Sequence, residues 1–276
     1  MENLISTQDH DSNTPLRNQM PCVSIITSVH NGEKYLEKCI NSILEQTLQN
    51  FEYIILNNGS TDGTAKILDK LTDPRLKIVH QENLGISASL NKGVKLSRCD
   101  LIARLDADDY SLPQRLEKQT IFMEQHPRVV VCGSRFKELL GERSFTQSIR
   151  FIETDQAIKK TISLFNPFSH SAVIFRKKVF FETGGYNCQY KYAQDYDLWV
   201  RMLNFGEAQI LNEELGVVRM SGQSFSNKNV RKQKLEGLRI RWRAFRQFGG
   251  NRKQVLYHSL KSLIGLIFPS KSLLNR

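Results

Sequence analysis

At 276 residues, with 40% apolar and 24% charged side chains, the chain can bury a full core and suits one large domain or a domain with an appendage. Its five cysteines are odd in number and lack Cys-x-x-Cys spacing, which argues against a disulfide framework or a zinc site and for a reducing compartment. The net charge of +11 is unevenly laid out: residues 228–276 hold 13 Lys and Arg against the single acid Glu236, net +12, and the remaining 26 basic and 27 acidic residues nearly cancel. No apolar run reaches the length of a membrane span and no signal-peptide core opens the chain, so a cytoplasmic protein is expected. Residues 1–20 are polar and read as a loose tail.

In chain order, Val23-Ser-Ile-Ile-Thr reads as a buried strand, and Tyr35, Leu36, Cys39, Ile40, Ile43 and Leu44 recur with helical spacing. Phe51-Glu-Tyr-Ile-Ile-Leu is a second strand. The polar turn Asn57-Asn-Gly-Ser-Thr-Asp-Gly-Thr64 follows, feeding a helix through Leu71 with Thr61 or Asp62 as N-cap. Leu76-Lys-Ile-Val predicts a third strand, residues 86–96 a helix, and 100–105 a fourth strand. Strands alternating with helices predict a parallel α/β sheet with its ligand crevice at the strands' carboxyl ends. His30, the Asn57-Asn58 pair and the acids Asp106, Asp108 and Asp109 all fall at such ends. Further on, the pattern predicts a helix at 114–125, a strand at 129–133, a strand-and-loop excursion at 134–152 and a helix at 155–164. A strand at 171–175, a turn at Gly184-Gly185 and a helix at 195–203 complete this part.

The acid cluster has two readings on its own residues. Like charges this close repel and need an offsetting cation, arginine or water, and a divalent metal holding a phosphate is one such offset. A solvated acidic turn is the other, and Asp-x-Asp alone does not choose between them.

Five stretches stand together in register: Val23-Ser-Ile-Ile-Thr-Ser-Val-His-Asn-Gly, Asn57-Asn-Gly-Ser-Thr-Asp-Gly-Thr, Arg104-Leu-Asp-Ala-Asp-Asp, Gly184-Gly-Tyr and Gln194-Asp-Tyr-Asp-Leu-Trp. In that order they resemble the family 2 glycosyltransferases, over roughly residues 21 to 226. The resemblance implies an A-type, Rossmann-like α/β fold: a mixed, mainly parallel sheet sandwiched by helices. It divides the chain into a tail at 1–20, a catalytic domain at 21–227 and a basic helical extension at 228–276. It implies an inverting hexosyl transfer from a nucleotide-diphosphate sugar to a saccharide or lipid-linked saccharide acceptor, in bacterial surface-polysaccharide assembly. By position, Ser28 and His30 would lie beside the nucleotide base with Asn58 facing its edge. Asp106 would touch the ribose or sugar, and Asp108 would ligate Mn²⁺ or Mg²⁺ bridging the diphosphate. Asp195 would be the general base that deprotonates the acceptor hydroxyl, kept ionised by the positive end of its helix.

Four residues at three sites depart from the family's pattern. Asn57-Asn58 replaces an Asp-Asp pair, which trades charge for an added donor and leaves UDP or dTDP donors favoured. The other reading of the pair is left-handed turn geometry before Gly59. Gln194 replaces a glutamate beside the base, and Ser221 stands where many relatives carry a metal-completing histidine, so metal would be weakly held. Arg219 and His170 are further candidates, for the phosphates and the acceptor side, and Asp197 reads as structural. The processive signature Gln-x-x-Arg-Trp is absent, which fits one sugar per acceptor.

Residues 231–253 interleave Arg and Lys with Trp242, Phe245 and Phe248, and Leu256, Leu260, Leu263, Ile264 and Ile267 then share one helical face. A basic helix beside an apolar one suits an anionic surface, so residues 228–276 are expected at the inner face of the plasma membrane. A solvated helix pair packed on the catalytic domain is the competing reading. No nucleic-acid recognition motif accompanies the charge, so no nucleic-acid partner is expected. The alternatives to an active enzyme are a catalytically weak or non-catalytic nucleotide-sugar-binding relative and, less favoured, a basic nucleic-acid-binding protein that uses this tail.

Overall fold

A computed structural model describes residues 22–141, 143–146, 152–220 and 229–267. The expected tail at 1–20, the boundary at 227/228 and the Ser221 position lie outside these residues. Among the described residues one sheet of nine strands organises the fold: β1 (Val23–Val29), β2 (Phe51–Asn58), β3 (Leu76–Gln81), β4 (Leu101–Arg104), β5 (Tyr110–Ser111), β6 (Val129–Leu140), β7 (Arg143–Thr146), β8 (Ile174–Arg176) and β9 (Glu207–Arg219). Their order is β3-β2-β1-β4-β8-β6-β9-β5, with β7 paired to β6. β3, β2, β1 and β4 run parallel, and β8 then joins β4 and β6 antiparallel. β9 runs parallel to β6, and the two-residue β5 closes the far edge antiparallel to β9.

Strand alternation sends side chains to two separate cores. Val23, Ile25 and Val29 of β1, with Tyr53 and Ile55 of β2, face one side. There α1 (Leu36–Leu44), α2 (Thr64–Leu68) and α4 (Arg115–Gln125) cover them through residues such as Ile40, Leu68 and Leu116. Ile26, Ile54, Leu56 and Ile102 face the other side. That side is covered by α3 (Ile86–Leu96), α5 (Asp155–Thr161), α6 (Lys177–Glu182), α7 (Gln194–Met202) and α8 (Val230–Phe248), which bury Val94, Ile158, Phe180, Trp199 and Ile240. α9 (Arg252–Ile267) packs back on α8, with Lys234 Nζ donating to the Gly265 carbonyl at 3.2 Å. The mixed, helix-sandwiched α/β architecture expected from the sequence is the one observed.

Several boundaries differ from expectation for identifiable reasons. The stretch expected as a strand from Ser171 begins as a 3₁₀ turn, His170–Ala172, and the strand starts only at Ile174. Ser171 is held there by side-chain bonds to the acid cluster, which draw the backbone out of the ladder. The expected cap at Thr61 or Asp62 gives way to Gly63 at the N-cap position of α2, although the Asp62 carboxylate still accepts from Thr64 N at 3.0 Å. α5 stops at Thr161, where the 155–164 reading had run three residues on. The left-handed reading of Asn57 and Asn58 is also wrong: both belong to β2, and the positive φ angles fall on Asn31 (54°) and Gly59 (69°).

A candidate active site at the strand ends

The ends of β1, β2 and β4 and the start of α7 open on one cavity of about 580 Å³. Its lining includes all six residues singled out by sequence: Ser28, His30, Asn58, Asp106, Asp108 and Asp195. Parallel register explains half of this. Val29 lies level with Asn57, and Asn57 and Asn58 with His80 and Gln81, so three loops leave the sheet side by side.

On the β1–β3 side, His30 Nδ1 lies 3.0 Å from the Asn58 carbonyl oxygen. The Asn58 side-chain carbonyl accepts from Gln81 Nε2 (3.1 Å) and Leu84 N (2.9 Å), and its amide donates to Asn83 Oδ1 at 3.3 Å. Asn58 therefore fixes the Gln81–Leu84 bend, while Asn57 Oδ1 accepts from Ser60 N. A carboxylate at position 58 would lose the amide donor to Asn83, and one at position 57 would lose the amide that stands 3.0 Å from His80 Nδ1. Gly59 makes the turn possible: at φ 69° an added Cβ would stand 2.7 Å from Asn83 N.

The acid cluster rests on two buried arginines. Arg104, 1% exposed, donates to Ile26 O at 3.2 Å, to Leu105 O, and to Asp106 Oδ1 at 2.5 Å. Arg115, wholly buried, bonds Ser111 Oγ, Gln119 Oε1 and the carbonyls of Arg104 and Val173. Burial would raise the Asp106 carboxyl, but Arg104, His170 and the Ser171 hydroxyl outweigh it and hold Asp106 below the usual carboxylate range. Asp108 and Asp109 go the other way, each raised by burial and by the charge of Asp106. Ser171 ties two of the three acids, Asp106 and Asp109, together. Its Oγ accepts from Asp106 N and touches both Asp106 Oδ2 and Asp109 Oδ2 with one hydroxyl hydrogen. Arg219 N also donates to Asp109 Oδ1 at 2.7 Å, and the Arg219 guanidinium stacks on Tyr35 at 4.0 Å beside the cavity.

Across the cavity Asp195 occupies the first turn of α7, where Asn166 Nδ2 donates to its Oδ2 at 2.8 Å. Burial, with Asp106 adding to it, pushes Asp195 up to about 6 against the opposing bonds from the Tyr196 amide and Asn166. The amide bonds at the helix N-terminus do not cancel desolvation, yet at about 6 the carboxyl is still mostly ionised at neutral pH. His170, pushed down to about 3 by burial and Arg104, is a neutral imidazole with Nε2 2.8 Å from the Tyr186 hydroxyl. Asp197 is wholly buried between Arg201 and Arg243, in keeping with its structural reading.

Sequence reasoning missed Ser171, Asn83, Lys191, Tyr192 and Gln233, which also line or brace the cavity. None carries a local signal, because long-range packing delivers them. Among the described residues no three His, Cys, Asp or Glu side chains converge as a metal cage.

Residues 24–183 match the family model described as Glycosyl transferase family 2. The chain is 33% identical over 188 residues to the amylovoran biosynthesis glycosyltransferase AmsE of Erwinia amylovora, covering 66% of this chain and 70% of that one. It is 39% identical over 186 residues to the O-antigen biosynthesis glycosyltransferase WbnJ of Escherichia coli, covering 66% and 72%. Among solved structures, S. aureus TarS 1-349 in complex with UDP-GlcNAc superposes with a TM-score of 0.68 at 19% identity, over 90% of this chain and 73% of that one. The mannosyltransferase PcManGT of Pyrobaculum calidifontis, in complex with GDP-Man and Mn²⁺, gives 0.63 at 16% identity, over 91% and 71%.

Proposed function

The chain belongs to glycosyltransferase family 2, and from that premise we propose an inverting transferase that moves a hexose from a UDP- or dTDP-type donor to a saccharide or lipid-linked saccharide hydroxyl. The observation that carries the reading is one cavity with two separate carboxylate stations, Asp106/Asp108 at the end of β4 and Asp195 on α7. The amylovoran and O-antigen relatives support a role in surface-polysaccharide assembly.

In this reading Ser28, His30 and Asn58 border the base and ribose, and Asp106, fixed by Arg104 and Ser171, takes a sugar or ribose hydroxyl. Asp195 takes the proton of the acceptor hydroxyl as its oxygen attacks the anomeric carbon and the bond to the diphosphate breaks. One displacement inverts that carbon. The residues fit a divalent cation held by one protein carboxylate. Asp106 and Asp109 are engaged by Arg104, Ser171 and Arg219, which leaves Asp108 as the hard oxygen donor at the cavity wall. A bound Mn²⁺ or Mg²⁺ would neutralise charge on the departing diphosphate. Arg219 offers a second positive group on the same wall.

The C-terminal hairpin supports an anionic membrane surface as partner, because its exposed side bears Arg and Lys beside an apolar face. No helix among the described residues is long and apolar enough to cross a bilayer.

A thermal-shift screen against nucleotides and nucleotide sugars, with and without Mn²⁺, tests the reading. We expect UDP or dTDP species to raise Tm, Asp108→Ala to abolish the metal-dependent part, and Asp195→Ala to keep binding while losing donor hydrolysis. Protein that no nucleotide stabilises would overturn it.

A further inference from the structure

The one acid in the basic extension is not on its basic face. Glu236, on α8, turns inward and accepts three consecutive backbone N–H groups: Lys191 N at its Oε1 (3.1 Å), and Tyr192 N (2.8 Å) and Ala193 N (3.0 Å) at its Oε2. Ala193 is the N-cap residue of α7, whose side chain can accept nothing, and Asp195 follows two residues later. Gln233, one turn earlier on α8, lines the cavity and donates to the Tyr192 carbonyl at 3.4 Å. Two turns later Arg243 grips Asp197 at 2.5 Å, with Ile240 buried between. One face of α8 thus holds the strap 191–193 and the first turns of α7 together.

We propose that Glu236 is a positioning residue for the transfer reaction: it fixes the strap 191–193 as the acceptor-side wall and thereby sets where Asp195 meets the attacking hydroxyl. Three amides without this carboxylate would turn to water, and the strap would lose the bonds that define its path. Lys191 and Tyr192 line the same cavity as Asp195 and precede it by only four and three residues along the chain. A wall of this kind meets the hydroxylated acceptor, and a shift of about 1 Å there costs up to roughly 100-fold in rate. The C-terminal extension is then part of the catalytic unit. The inference rests on Asp195 as base.

Glu236→Ala and Glu236→Gln in the full chain test it, with UDP affinity by calorimetry, hydrolysis of a panel of UDP- and dTDP-hexoses across pH, and amide exchange at 191–193. The alanine variant should hydrolyse donor about 10- to 100-fold more slowly. Its UDP Kd should stay within about twofold and its strap amides should lose protection. Its acid limb should fall in pH as water reaches Asp195, whose other neighbours, Asp106, Tyr186 and Asn166, are unchanged. Glutamine keeps the shape and one acceptor oxygen, enough for the Tyr192 and Ala193 bonds, so it should recover part of the rate. A merely structural role would lower Tm without moving the acid limb. Wild-type rate and acid limb in Glu236→Ala, or UDP affinity falling in step with rate, would overturn the proposal. Wild-type protein that binds no nucleotide would instead sink the transferase reading, and the exchange at 191–193 would still decide whether Glu236 holds the strap.

Discussion

A carboxylate that removes a proton near neutral pH must be ionised there yet basic enough to accept one. At about 6, Asp195 meets both conditions, and burial is the main reason. With Asp195 as the proposed base, its ionised form would accept the proton, so kcat/KM should fall about tenfold per pH unit below about 6 and be level just above it. A pH–rate profile of donor hydrolysis checks this, and Asp195→Asn should lower the rate by about 10²- to 10⁴-fold at every pH. An acid limb near 4 would place the base elsewhere. The same shift has a signed effect on stability. The folded pKa is raised above the unfolded value, so the native state binds the proton more tightly between about 4 and 6, and the group weakens folding as pH rises through that window. Asp195→Asn should therefore raise Tm near pH 8 and leave it unchanged near pH 4, unlike a variant that simply breaks packing.

At the scale of elements, what was legible in the sequence was what periodicity encodes. β1, β2 and β4 are short apolar runs bounded by polar residues, α1 and α3 repeat their apolar residues at helical spacing, and each appears within a residue or two of its expected place. The polar residues at their ends could be placed around one crevice before any contact was known. Apart from the α2 cap, the Asn57-Asn58 turn and the short β5, what failed lies after residue 134. β9 bends through register shifts opposite Ser134 and Arg135, so its apolar residues do not alternate, and β5 has only two residues. α6 is six residues long and carries too few turns to show a face. The bracing residues failed for another reason. Ser171 and Glu236 lie 65 and 44 residues from groups they hold, Asp106 and Tyr192, and no local pattern records such pairs. Close packing of α3 on the sheet is itself testable. A Cβ added at Gly93 would stand 2.6 Å from Ile26 Cγ2 and 2.9 Å from Leu56 Cδ1. Gly93→Ala gains helix propensity but overpacks this contact, so we expect a net loss of about 1–3 kcal/mol in urea unfolding. A stabilised variant would mean that α3 can lift off the sheet at no cost.

For the whole molecule, the charge imbalance and the hairpin packing have one explanation if the protein works against an anionic lipid surface. α9 turns Val255 and Ser259 toward the body and leaves Leu256, Tyr257, Leu260, Leu263 and Ile264 exposed, the reverse of what water favours. The side chain of Ile267, expected on the same face, lies outside the described residues. Burying each such side chain in an apolar phase gains about 1.5–3 kcal/mol, and each nearby Arg or Lys adds about 1 kcal/mol at an anionic membrane. The only acid of the extension is already committed to the strap, so nothing negative opposes this approach. α8 would then stand between the lipid surface and the cavity, which suits an acceptor carried on a lipid. Flotation with vesicles containing phosphatidylglycerol should retain the wild-type chain, less so as salt rises, while zwitterionic vesicles should retain little. Leu260→Lys with Ile264→Lys adds positive charge but removes the apolar face. A charge-only attachment would strengthen in this variant, whereas insertion of α9 would weaken at least about tenfold. Unchanged or stronger flotation would reject insertion. A wild-type dimer in sedimentation that becomes a monomer in the variant would assign the face to a second copy of the chain.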